Sequence, residues 1–312
     1  MDSTELTTAR LDPTPRRKFL RDALAMSALP LIPGPLDAEE REIDLGATCR
    51  LLPGCCAYSY GPDLKAGRMT MEDFIRKGVD LGVSAVDITV YWLKSTDPAY
   101  LASLRHLATR SAMPFSGAAC GVNMAQGSEA GRAKSLANAK KWVDATNELG
   151  ASHLRVFAGE APAGSSLQEA MHWTAEVLKP ASEYAGKLGI TLGVENDSGI
   201  ADRADVLLEI IRGVDSPYAG INLDISNFAT KSDEEQYREI EACIPFATHV
   251  HIRDRFESAK GPIDLDRVWK LFVKHNYEGY LSAEYEAEEA PATGVPKLVA
   301  KVRALCRKYS NA

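Results

Sequence analysis

The stretch Ala247-Thr-His-Val-His-Ile-Arg-Asp254 decides how the rest of the chain is read. It has the length and apolar content of a short buried strand, with Val250 and Ile252 alternating with His249 and His251. Successive side chains of a strand point to opposite faces, so the two imidazoles share a face and need polar partners there. About one βα unit away on either side, strand-like runs end in a carboxylate: Gly220-Ile-Asn-Leu-Asp224 and Tyr280-Leu-Ser-Ala-Glu284. A further run, Ile190-Thr-Leu-Gly-Val-Glu195, lies one unit upstream. The steps from Glu195 to Asp224, from there to His251 and on to Glu284 are 29, 27 and 33 residues, close to the roughly 30 residues of a βαβ repeat.

In a parallel barrel the carboxyl ends of neighbouring strands converge on one mouth, where active sites of that architecture sit. One strand-end acid, or one core histidine, is ordinary. Four metal-capable side chains in phase are not, because buried carboxylates without partners are costly. Glu195, Asp224, His251 and Glu284 are therefore expected to hold one divalent cation. The oxygen-rich set favours Mn²⁺, with Mg²⁺, Co²⁺ or a catalytic Zn²⁺ behind it, over a structural zinc, which prefers thiolates and imidazoles.

The remaining chain keeps the same rhythm of short apolar runs and longer amphipathic stretches, which argues for α/β architecture and a parallel sheet. Strands are predicted near 54–59, 84–90, 114–119, 152–157, 190–195, 219–224, 247–252 and 279–284, giving a closed (β/α)₈ TIM barrel. Leu81-Gly82, Leu149-Gly150 and Leu188-Gly189 each close a helical stretch just before a strand. Leu136, Ala139 and Val143 recur at helical spacing, as do Ala181, Ala185 and Leu188, while Pro180 predicts a kink or break around Glu176.

A chain of 312 residues with 45% hydrophobic content supports one large core. Its net charge of −7 offers no basic footprint for nucleic acid. Residues 1–37 read as a leader: Pro15-Arg-Arg-Lys-Phe-Leu-Arg21 precedes the apolar run Ala23-Leu-Ala-Met-Ser-Ala-Leu-Pro-Leu-Ile32, with Arg16 and Arg17 as the pair of a twin-arginine-type export signal. The run is too short to span a bilayer, so no stable membrane anchor is expected. Residues 38–49 are a charged linker and 50–312 the barrel. The expected location is the periplasm, or the cytoplasm if the leader does not function. Cys49, Cys55, Cys56, Cys120, Cys243 and Cys306 show neither disulfide-framework nor zinc-ribbon spacing and read as core residues.

The motifs Leu192-Gly-Val-Glu-Asn196, Asn222-Leu-Asp-Ile-Ser-Asn227, His249-Val-His-Ile-Arg-Asp254 and Gly279-Tyr-Leu-Ser-Ala-Glu-Tyr285 together resemble the xylose isomerase-like TIM barrel superfamily of sugar phosphate isomerases and epimerases. The resemblance covers roughly residues 50–310. It implies a metal held by a Glu, an Asp, a His and a Glu in chain order, which fall on Glu195, Asp224, His251 and Glu284, and it assigns proton transfer to Glu195 and Glu284. Two positions depart from it. Asn227 stands where such epimerases carry a substrate-binding histidine, and Ala201 where they carry a substrate-contacting glutamate.

Around the predicted mouth, Asp87, Tyr91 and Trp92 end or follow the second strand, and the two aromatic residues are expected to stack on a sugar ring. Glu160, Asn196, Asn227 and Arg253 are the other substrate-binding candidates, with Lys260 in a loop long enough to reach the site. His249 reads as a core histidine or a support for His251. His106, His172 and His275 sit in helical stretches, which leaves too few strand-end histidines for a three-zinc endonuclease site. The resulting expectation is a metal-dependent isomerase or epimerase acting on a small-molecule carbohydrate through an enediolate. Its rivals are a lyase or dehydratase of a keto-sugar or keto-inositol, and a non-catalytic sugar-binding barrel. A homo-oligomer is compatible with the sequence.

Overall fold

The computed structural model describes residues 50–257 and 261–310. The leader with Arg16 and Arg17, the linker with Cys49, and Lys260 lie outside the described residues. Eight parallel strands close into one barrel in chain order. They are β1 (Leu51–Cys56), β2 (Ala85–Thr89), β3 (Phe115–Asn123), β4 (His153–Phe157), β5 (Thr191–Glu195), β6 (Ala219–Asp224), β7 (Ala247–Ile252) and β8 (Gly279–Ala283). The main helices between and after them are α1 (Met71–Leu81), α2 (Pro98–Arg110), α3 (Glu129–Leu149), α4 (Leu167–Gly186), α5 (Ala204–Val214), α6 (Asp233–Cys243), α7 (Leu265–Lys274) and α8 (Pro291–Tyr309). The predicted (β/α)₈ TIM barrel is the observed one.

Local chemistry sets the helix ends. Thr70 and Asp73 form a reciprocal capping box at α1, and Ser166 with Glu169 repeats it at α4, satisfying amide groups that the first turn leaves bare. Gly82 and Gly150 stop α1 and α3 in the left-handed conformation that glycine adopts cheaply. The helices pack by stripe: in α7, Leu265, Val268, Trp269 and Phe272 follow one another at helical spacing and all are buried.

Two expectations need correction. Of the kink or break expected at Pro180, the break does not occur, for α4 runs unbroken through it. The carbonyl deprived of its bond is that of Glu176, an exposed residue, where water can replace the missing amide. The first strand starts at Leu51, not 54, and ends at Cys56, after which Ala57–Tyr60 form a 3₁₀ turn. The Pro53 carbonyl accepts from Ser84, just ahead of β2, so the amide proline lacks has no strand residue to pair with on that side.

The barrel interior is polar and layered. Below the mouth, the rings of His153 and His249 stack with centroids 5.0 Å apart and planes 21° from parallel. Gly193 makes this layer fit, since a Cβ there would meet His153 Nε2 at 2.5 Å and the backbone nitrogen of Asn222 at 3.0 Å.

Candidate metal centre

Three strands and one strand end deliver the centre. Glu195 closes β5, Asp224 closes β6, His251 is the penultimate residue of β7, and Glu284 follows Ala283 at the end of β8. The register pairs Glu195 with Asn222, Asp224 with His251 and His251 with Ser282, so the four residues stand within two residues of one another along neighbouring strands. One ligand atom from each of Glu195, Asp224, His251 and Glu284 lies within 4.8 Å of all the others. All four residues are buried, with 5% exposure at most.

The contacts are specific. His251 Nδ1 lies 2.7 Å from Glu195 Oε1 and 3.3 Å from Glu284 Oε2, while Nε2 lies 2.9 Å from Asp87 Oδ2. The Asn222 amide donates to Glu195 Oε1 at 3.0 Å. Arg155 holds Glu195 Oε2 at 3.1 Å and is itself buried, with its guanidinium over the Phe157 ring. Arg253 reaches Asp224 Oδ2 at 2.9 Å, Glu284 Oε2 at 3.2 Å and Glu286 Oε1 at 2.9 Å.

Asp224 tests whether a cation fits. Its Oδ1 accepts from the Ser226 amide, but Oδ2 is buried and has no hydrogen bond among the described residues. Arg253 Nε is close enough to be an ion pair with that oxygen, yet it too lacks hydrogen-bond geometry. The close approach is therefore a charge contact, and a lone pair of Asp224 faces the cluster unused. The charges agree: four interior carboxylates, of Asp87, Glu195, Asp224 and Glu284, face two guanidiniums, of Arg155 and Arg253, leaving two negative charges when His251 is neutral. A divalent cation cancels them. The donor set of three carboxylates and one imidazole suits such an ion.

Protonation follows the same balance. Burial pushes the Asp224 carboxyl up to about 7, with Glu284 and Glu195 adding to the effect against Arg253. Burial works in the same sense on Glu284, but His251, Arg253 and Arg155 outweigh it and hold that carboxyl well below the usual carboxylate range. For His251 burial is likewise overcome, by Glu284, Cys56, Glu195 and Asp87, and the imidazole stays protonated well above its usual range. In the cation-free centre protons take up the charge that a metal would supply.

The other sequence candidates fall at different places. The Asn196 amide accepts from the Asp224 backbone N–H and donates to its carbonyl, both at 2.8 Å, so it ties the end of β5 to the end of β6. Asn227 receives a bond from the Ser226 hydroxyl, and its amide nitrogen has no hydrogen bond among the described residues. Glu160 is exposed on the rim. Tyr91 is 46% exposed and packs edge-on against the half-buried Trp92, whose ring also meets Tyr58 with centroids 5.6 Å apart. A cavity of about 710 Å³ is lined by Arg253, Phe256, Glu257, Glu284, Glu286 and neighbouring residues, and of the four clustered residues it touches Glu284 alone. That is within the size range of small-molecule sites.

Sequence reading missed Arg155, Asn222, Tyr58 and Glu286, and gave Asp87 no task at the centre. A signal for Arg155 was present, because His153 and Arg155 alternate in β4 as His249 and His251 do in β7.

Residues 75–306 match the sequence model of the family described as xylose isomerase-like TIM barrel. The chain belongs to that family. No curated protein matches it in sequence. Similar solved structures include a 3-keto-D-glucoside 4-epimerase from E. coli, at 18% identity and TM-score 0.67, covering 82% of this chain and all of the other. A D-psicose 3-epimerase crystallised with D-fructose shares 14% identity at TM-score 0.65, over 84% of this chain and 100% of that one. A probable 3-DHS dehydratase from Bacillus anthracis, at 14% identity and TM-score 0.63, covers 81% and 98%. At such identities these likenesses establish the shared barrel.

Proposed function

We propose that the chain is a divalent-metal-dependent isomerase or epimerase of a sugar or related carbohydrate, working through an enediolate. The observation that carries this reading is the convergence of Glu195, Asp224, His251 and Glu284 within 4.8 Å at the carboxyl ends of four consecutive strands. Those four residues would hold the cation, Mn²⁺ ahead of Mg²⁺, Co²⁺ or Zn²⁺. When bound, such an ion polarises a carbonyl and its neighbouring hydroxyl, so that the proton between them is easier to remove.

The chain's own groups do the rest. Glu195 and Glu284 approach His251 Nδ1 from β5 and β8, and two carboxylates so placed can take a proton from one face of a substrate carbon and return it on the other. Arg155 and Arg253 each hold one oxygen of these acids, fixing their orientation in a site where a freely turning carboxylate would lose reactive geometry. Tyr58, Tyr91 and Trp92 form an aromatic wall beside the mouth against which the apolar face of a sugar can lie. Asn227, Arg253 and Glu160 supply hydroxyl partners, and Asn196 steadies Asp224. The epimerases among the similar structures support this reading. The leader is assigned to export, which favours an unphosphorylated substrate.

The test is solvent exchange. Mn²⁺-loaded protein is incubated in deuterated water with ketoses, aldoses and 3-keto glycosides, and deuterium is expected at a carbon next to the carbonyl. Glu195→Gln and Glu284→Gln should each abolish it; exchange unchanged in both would remove their proposed roles.

A lyase is the second reading, and Glu286 favours it. This third acid, 37% exposed, sits beside Arg253, and burial pushes its carboxyl up to about 7. It can therefore deliver a proton to a departing hydroxyl. An unsaturated product would decide for the lyase.

A further inference from the structure

Asp87 has no place in the proton transfers proposed above, yet it is among the least accessible acids in the protein, 1% exposed on β2. In the barrel β2 is separated from β7 by β1 and β8. The His251 ring bridges that gap, presenting Nε2 to Asp87 Oδ2 at 2.9 Å and Nδ1 to Glu195 and Glu284. The two nitrogens of one imidazole thus face different acids, and a neutral ring carries a proton on only one of them.

We propose that Asp87 is the positioning residue of the centre, fixing His251 in the tautomer with hydrogen on Nε2 so that the Nδ1 lone pair points at the cation. The inference rests on the four-ligand reading. A carboxylate accepting the far N–H of a ligating histidine both orients the ring and raises its basicity.

Asp87 Oδ2 is taken up by the His251 ring, while Oδ1 is buried with no hydrogen bond among the described residues. Asp87 is 1% exposed, and the ring it contacts is itself fully buried. The competing role is ligation of a second, softer ion, because Cys56, Asp87 and His251 also place one ligand atom each within 4.8 Å. The Cys56 thiol lies 3.6 Å from Glu284 Oε1, however, a contact that a thiol donating to the carboxylate accounts for. The direct contact between Nε2 and Oδ2 also accounts for the pair without an ion.

The experiment compares wild type, Asp87→Ala and the isosteric Asp87→Asn, which keeps an acceptor oxygen and loses the charge. Mn²⁺ affinity is measured by calorimetry, and the His251 ring nitrogens are read by long-range ¹H–¹⁵N correlation in Zn²⁺-loaded, histidine-labelled protein. Wild type is expected to show the proton on Nε2. Asp87→Ala should lose that fixed tautomer and bind Mn²⁺ about 10–100-fold more weakly. Asp87→Asn should keep the tautomer with a smaller loss. Unchanged affinity and an unchanged tautomer in Asp87→Ala would overturn the proposal and leave the four-ligand centre standing. So would a second equivalent of Zn²⁺ that vanishes in Cys56→Ala, since Asp87 would then be a ligand. A wild-type protein that binds no Mn²⁺ would sink the centre and this inference together.

Discussion

His249 and His251 stand two residues apart on one strand, both buried, and the protein treats them in opposite ways. His251 sits among Glu195, Glu284 and Asp87 and is held protonated. His249, one layer deeper, meets the Ser282 hydroxyl at 3.3 Å and the stacked His153 ring, and burial pulls it down to about 4. The residue type therefore does not make a centre. What neighbouring strands bring to the same height does, and only at the upper layer do β5, β6 and β8 all bring acids.

The largest effect expected from breaking this contrast is at the upper layer. Glu195→Gln or Glu284→Gln should reduce solvent exchange at least about 1,000-fold, in the range that loss of a proton-transferring group produces. Circular dichroism should report an intact barrel in both. Asp224→Ala should weaken Mn²⁺ binding in calorimetry with little change in the stability of the cation-free protein, because Arg253 keeps Glu284 and Glu286 as partners. The matching change one layer down, His249→Gln, should leave Mn²⁺ affinity unaltered in calorimetry, and equal losses at both layers would erase the distinction.

The pH dependence sharpens the same comparison. His249 is depressed from its ordinary value to about 4, so between those values the unfolded chain binds more protons than the folded one. Its contribution is present above about pH 6.5 and lost as pH falls toward 4, worth up to about 3 kcal/mol over the interval. His251 is raised, so in cation-free protein its contribution is present below its unfolded value and lost as pH rises through the folded one. Denaturant titrations at pH 4.5 and 7, with and without His249→Gln, should show a smaller acid-side loss in the variant. A smaller effect is expected on titrating cation-free protein with Mn²⁺ at neutral pH. Protons should be released, because ligands that carry them must give them up, and the release should shrink as pH rises.

Much of this contrast is legible in the amino-acid sequence. The spacing of Glu195, Asp224, His251 and Glu284 encodes both the barrel and its centre, because one βα unit per ligand is what places consecutive strand ends at one mouth. Asp87 is not legible in the same way. It lies three strands from His251 around the barrel, and a contact across the interior leaves no periodic trace along the chain. Arg155 is hidden for a different reason, since a basic residue in an apolar strand announces burial but not the acid that compensates it. Pro180 misleads because the cost of a proline inside a helix depends on whether the carbonyl it deprives can find another partner, which only tertiary structure decides.

Anomalous diffraction from crystals grown with Mn²⁺, collected on both sides of the manganese edge, tests the centre most directly. One peak is expected, at roughly 2.0–2.3 Å from Glu195, Asp224, His251 Nδ1 and Glu284. Strong binding in solution with the peak elsewhere, or no peak among these four side chains at saturating Mn²⁺, would contradict the account.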